Sequence, residues 1–374
     1  MSHPLKNGLA TAPELGGTHQ RGIQTLANET LSMIAERTMD DDRAFTGLML
    51  ASPRLAGVCE YLRYTSVTVQ GTRGRRLLAT LISGTPTSKR YCKLVKRAWF
   101  RYWHETEMYL VSTLMCEALP LMDNLITLRI DAHTIDEAHT LNRMDRAGLI
   151  RASLHPAFLL GSSTSNEILF SPLTLAKLEN YMVSGSFSLV ALTNHRTLSE
   201  IYLDCFMDRD DLAEFISKAE CTILGHSLQT LSVKFVRSIS LRLAIPLLSK
   251  AFPMIKNMSI EQASMEVLAA LDVIGGETTN FVHLRHLALN RRLAFPLLKW
   301  GSKLEGNKPL SDAVHLKLQT MHFKHAKLSY FGMGKVLWVK VEGGSFVEAK
   351  CLNSCDWWDN VIGKQFHTDL YPQP

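Results

Sequence analysis

The sequence predicts an α/β chain in two parts. A small helical module is followed by an irregular array of strand–helix units, stacked into a parallel sheet with helices on its other side. Three observations predict this. An apolar-x-x-apolar-x-apolar spacing recurs along most of the 374 residues. The stretches between its copies carry helical periodicity. A segment with helical apolar stripes precedes the first copy, separating a module at 22–66 from the array at 67–374. Ahead of both, residues 1–21 are rich in Gly, Pro, Thr and His without apolar periodicity, and read as a flexible tail.

In the module, Leu26, Leu31 and Ile34 mark one amphipathic helix with Asn28 as its cap. The acidic run 40–42 caps a second helix that carries Phe45, Leu48 and Leu55. A hairpin this small cannot hide all its apolar surface, so part is shared with the array or with a partner.

The array begins with Val95/Ala98/Phe100, Leu125/Leu128/Ile130, Leu198/Ile201/Leu203 and Leu228/Leu231/Val233. It continues with Ile255/Met258/Ile260, Leu284/Leu287/Leu289, Leu318/Met321/Phe323 and Val336/Val339/Val341, and Leu175/Leu178/Met182 is a weaker copy. The last two apolar residues of each copy are two apart, so they share one face of a short strand, and the first packs below them at the bend. Residues 208–211 open a helix with Leu212, Phe215 and Ile216 on one stripe. Residues 263–274 form another, closed by Gly275 and Gly276. One such unit cannot bury its apolar face alone, so neighbours must stack. The steps between copies scatter around the 20–29 residues of leucine-rich repeats. A doubly wound domain would instead show longer, continuously apolar strands and a Gly-rich phosphate turn after the first.

The net charge of +6 is uneven: positions 61 to 104 hold ten Lys or Arg and no Asp or Glu. Between 89 and 101 these cations interleave with aromatics, a mixture that single-stranded nucleic acid binding uses. The repeat phase offers the simpler account, with Val95, Ala98 and Phe100 inward and Lys96, Arg97 and Trp99 on the solvent sides. Nucleic acid is therefore the less favoured partner. No window has the length of a membrane span, and the N-terminus has no secretory signal pattern. Seven cysteines without framework spacing fit a reducing compartment, cytoplasm or nucleus.

Catalytic chemistry has no visible carrier. Gly332-Met333-Gly334-Lys335 lacks the spacer and the Ser/Thr of a phosphate loop and reads as a tight turn. Cys351 and Cys355 have no second pair to complete a metal tetrahedron. The pairs His283/His286 and His322/His325 span expected strands, where alternation puts them on opposite faces. The sequence thus predicts a protein that is not an enzyme, with no catalytic residue, metal or cofactor.

Leu26, Glu29, Leu31, Ile34, the acids at 40–42, Leu48, Ser52, Arg54 and Leu55 stand in an order that resembles the F-box. Residues 62–67 are similar to the strand that follows it in fungal F-box proteins, and the remainder is similar to the divergent leucine-rich arrays of that group. Ala27 departs from the family's usual proline, and Pro53 interrupts its Ser-Arg turn. The resemblance implies a substrate-recognition subunit of a cullin–RING ubiquitin ligase. Leu26, Glu29, Leu31, Ile34 and Leu48 would dock on a Skp-type adaptor. The protein substrate would meet the residues flanking the inward leucines: Arg129, Tyr202, Ser232, Ser259, Ala288, His322 and Lys340. The alternative is a leucine-rich binding scaffold with no ubiquitin role, its helical module serving as a cap.

Overall fold

The computed structural model describes residues 26–39, 41–101, 105–131, 137–153, 167–171, 174–184, 196–220, 223–262, 267–276, 281–290, 308–333 and 336–350. The chain divides into two compact units, Met1–Arg63 and Tyr64–Pro374.

The first unit is helical. Helix Asn28–Thr38 starts without a side-chain cap. The expected cap, Asn28, lies inside the helix, and its Oδ1 accepts two bonds from the Arg54 guanidinium, at 3.1 and 2.8 Å. Helix Asp42–Ala51 is capped by Asp41, whose carboxylate accepts from the Arg43 and Ala44 amides at 2.9 and 3.1 Å. Leu55 was expected on this same helix but belongs to a third, Pro53–Thr65, because proline suits a first helical turn. Ser52 caps it, accepting from the Leu55 amide at 3.2 Å. Ala35, Phe45 and Cys59, one from each helix, form the small core.

The second unit is built on an eleven-stranded sheet. Its first strands are β1 (Ser66–Val69), β2 (Arg97–Arg101) and β3 (Thr127–Asp131). A separate antiparallel pair follows, β4 (Ile150–Ser153) with β5 (Glu167–Phe170). The large sheet resumes with β6 (Asn180–Ser184), β7 (Glu200–Met207), β8 (Thr230–Phe235), β9 (Asn257–Gln262), β10 (His286–Asn290) and β11 (Tyr330–Met333). Neighbours from β1 to β11 in this sheet are all parallel, and β12 (Val336–Lys340) and β13 (Phe346–Lys350) close it antiparallel.

The inward residues stack in register, Ala98 beside Leu128, Leu128 beside Tyr181, and Ile201 beside Leu231. They share one core with helices Gly71–Ile82, Glu105–Ala118, Arg209–Glu220, Leu241–Ala251, Val267–Gly275 and Lys308–Lys324, which supply Leu78, Met115, Phe215, Leu248, Leu271 and Leu318. The motif's leading residues, such as Leu228 and Ile255, are fully buried at the bends. Helix Arg209–Glu220 opens as expected: Asp208 Oδ1 accepts from the amides of Asp210 and Asp211, and Asp211 returns a carboxylate oxygen to the Asp208 amide.

Three copies of the spacing differ from expectation. Leu318 and Met321 lie on helix Lys308–Lys324, because a three-residue step serves a helix face as well as a strand bend. The strand of that unit is β11, with Leu328, Phe331 and Met333 buried. In β6 the inward residues are Tyr181 and Val183, so Met182 points away from the core. In β12 the buried inward residue is Trp338, while Leu337 and Val339 lie on the other side with Ala288. The Gly332 expected in a turn is a strand residue of β11.

Candidate recognition surface

Residues that alternate with the inward ones face away from the core, and parallel pairing aligns them into rows. One row runs Thr68, Trp99, Arg129 on β1 to β3, then Met182 and Tyr202 on β6 and β7. It continues through Ser232, Ser259, Ala288 and Gly332. Five of the seven expected contact residues therefore stand side by side in one row. The other two do not. His322 falls on helix Lys308–Lys324, away from any strand. Lys340 ends the antiparallel β12, where its ammonium donates to the Ala326 carbonyl at 2.6 Å.

The row changes character along its length. Between β1 and β3 it is bulky and charged. The Arg129 guanidinium lies over the Trp99 ring, its carbon 3.9 Å from the centroid, and Arg101 approaches the same ring at 4.9 Å. Asp131, two residues beyond Arg129 on the same face, accepts from Trp99 Nε1 at 2.8 Å and from Arg129 Nε at 3.0 Å. Trp99 is only 3% exposed and Arg129 8%. Trp99 was expected on a solvent side; guanidinium stacking and its bonded indole N–H leave no free ring for a base. Phe100 is core, and Tyr102 and Trp103 lie outside the described residues.

Toward β9 the flanking rows are polar and satisfied. Lys234 bridges Asp204 and Glu261. Burial works to lower its pKa, but the two carboxylates outweigh that and raise it. On β7, burial raises the Glu200 carboxyl while a 3.3 Å bond from the Tyr202 hydroxyl works against the shift. Asn257 donates to Thr230 Oγ1 at 2.9 Å, and its Oδ1 lies 2.7 Å from His286 Nδ1, which fixes the proton on that nitrogen. The His286 ring stacks on Tyr330 at 4.8 Å. Burial, with Arg285 adding to it, depresses the His286 pKa to about 4. At the far end Ala288 is fully buried, not open as its phase suggests. Gly332 stands between it and Leu337, and having no side chain it lets Leu337 reach across to Ala288.

The residues expected at the adaptor contact divide differently. Glu29 is exposed, and Leu26, Ile34 and Leu48 are half-buried. Leu31 is fully buried. Among the described residues of this unit, the most exposed apolar side chains are instead Met33, 58% exposed, and Leu50, 81% exposed. Neither stands out in sequence, because a helical stripe does not say which edge a neighbour covers.

His325, paired with His322 in the sequence, is buried with both ring nitrogens against carbonyls, Phe281 at 3.2 Å and Ile274 at 2.8 Å. Among the described residues no group of three or more His, Cys, Asp or Glu is placed to hold a metal. Cys351 and Cys355, read in the sequence as lacking a second pair, lie outside the described residues. No helix of the described residues is long and apolar enough to cross a membrane. No protein-family model matches the chain, and no curated protein matches it.

Proposed function

We propose that this chain is a non-catalytic recognition subunit whose outward sheet face, on a divergent leucine-rich array, captures a protein partner. The supporting observation is the single row of outward side chains held in register from Thr68 to Ala288. Such a surface, rigid in its backbone and varied in its side chains, suits the extended contact that repeat proteins make. The helical unit, with its F-box-like order of residues, docks on the Skp-type adaptor of a cullin–RING ligase in the cytoplasm or nucleus. The receptor then works by proximity, making transfer to the captured protein effectively intramolecular. Exposed Met33 and Leu50 are apolar anchors of the kind such a contact needs. Co-purification of the full chain with a Skp-type adaptor and a cullin tests this reading.

A second reading, a binding scaffold without a ubiquitin role, draws support from Leu31. This F-box-like position is fully buried in the chain by itself, so it offers no open side chain for an adaptor to grip.

A further inference from the structure

The bends that lead into β9, β10 and β11 repeat one turn and gather charge of one sign. Residues 252–255, 281–284 and 325–328 each close on a bond from the last amide to the first carbonyl, at 3.3, 3.1 and 2.9 Å. The residues entering the strands are then tied side by side. The Arg285 amide donates to the Lys256 carbonyl at 2.7 Å, Ser329 to Arg285 at 2.8 Å, and Lys340 of β12 to Ser329 at 2.9 Å. Lys256, Arg285, Lys327 and Lys340 thereby stand together on one edge of the sheet. Their side chains reach no carboxylate. Lys256 Nζ donates to Gln229 Oε1 at 2.8 Å, Lys340 Nζ to the Ala326 carbonyl at 2.6 Å, and Lys327 Nζ lies 3.1 Å from His283 Nδ1. None of the four forms an ion pair, and exposed Glu342, just past Lys340, bridges none of them. The same turns hold out apolar side chains beside these cations: Met254 is 38% exposed, Val282 52%, and Ala326 is exposed too.

We infer that this edge docks an acidic, amphipathic peptide segment of the captured partner, its carboxylates over the four cations and its apolar side chains over Met254, Val282 and Ala326. This rests on the reading of the chain as a protein-capture subunit. The edge adjoins the outward face through Asn257, His286 and Tyr330, each the first residue of its strand. From β9 to β12 it spans three strand spacings, about 15 Å, which about five extended residues cover. An extended segment throws successive side chains to opposite sides, so alternating acidic and apolar residues meet the cations and the apolar turns together. A nucleic acid strand would satisfy the cations but leave Met254 and Val282 in water. A bilayer would gain only those two larger side chains for insertion, a weak anchor. The cations are exposed or half-buried, so binding falls as salt rises.

Fluorescence anisotropy on the full chain tests this with a labelled octapeptide that alternates glutamate and leucine. Two counterparts alternate glutamate with serine and glutamine with leucine. Oligouridylate RNA and phosphatidylserine–phosphatidylcholine vesicles are the other probes. The glutamate–leucine peptide is expected to bind at least about tenfold more tightly than the glutamine–leucine peptide, and about three- to tenfold more tightly than the glutamate–serine peptide. Arg285→Gln combined with Lys327→Gln, both at exposed residues, should weaken it by about tenfold or more. Val282→Ser should weaken it about threefold, and thermal unfolding should show both variants folded. Binding no tighter than that of either counterpart, no binding at millimolar concentration, tighter binding of the RNA, or unchanged affinity in the Arg285–Lys327 variant overturns the inference. So does sedimentation with the vesicles that this variant loses. Adaptor co-purification reads Met33 and Leu50 and involves none of these residues. The receptor reading can therefore fail while the acidic-peptide edge stands, and the reverse.

Discussion

The indole N–H of Trp99 donates to Asp131 at 2.8 Å, tying the middle of β2 to the end of β3 on the outward face of the sheet. The other oxygen of that carboxylate holds Arg129, so one acid fixes both large members of the row. Removing it leaves an indole donor and a guanidinium buried without their partner.

Asp131→Ala should therefore destabilise the second unit by about 3–5 kcal/mol, the cost typical of breaking a buried charged pair. Urea denaturation followed by circular dichroism measures it. Asp131→Asn retains an acceptor oxygen for one donor and should cost less.

The two faces of β10 should respond in opposite ways to size. Leu287 is inward and fully buried, so Leu287→Ala should cost about 2–5 kcal/mol by leaving a cavity. Ala288 packs against Leu337, so Ala288→Leu should cost about 1–3 kcal/mol by overpacking. If Ala288→Leu unfolds at the same urea concentration as the parent, that end of the face is open.

His286 gives the stability a pH dependence. Its pKa falls from 6.5 to about 4 on folding, because burial and Arg285 disfavour the charged ring. Between these values the unfolded chain binds the extra proton, so stability present above pH about 6.5 is lost as pH falls toward about 4. His286→Gln should flatten that part of the profile in a series of thermal melts. An unchanged slope would mean that other groups govern it.

Much of this architecture was legible in residue spacing. Six copies of the apolar motif predict β2, β3 and β7 to β10 with the right inward residues, since a strand two or three inward residues long leaves few phases to choose from. The motif failed where it is ambiguous. Leu318/Met321 suits a helix face equally, and Tyr181 went unread as an inward residue because a tyrosine does not announce its burial. Five of the seven expected surface residues fell into one row because alternation is strict. The Trp99–Asp131 pair was harder to see, since register between strands thirty residues apart depends on the bends below them. A signal was nonetheless present: Asp131, Asp204, Lys234 and Glu261 each stand two residues beyond Arg129, Tyr202, Ser232 and Ser259, on the same face.

The role of Leu31 also changes with the structure. Its complete burial makes Leu31→Asp a folding mutation of the helical unit, so it cannot report on adaptor contact. Exposed residues serve better, and Met33→Asp combined with Leu50→Asp should leave thermal unfolding within about 0.5 kcal/mol of the parent in stability.

Co-expression of the full chain with a Skp-type adaptor, followed by size-exclusion chromatography at micromolar concentration, tests the receptor reading most directly. The account predicts that the two co-elute as a stoichiometric complex, and that the Met33→Asp, Leu50→Asp double variant elutes alone while still folded. Elution of the unmodified chain without the adaptor would contradict it.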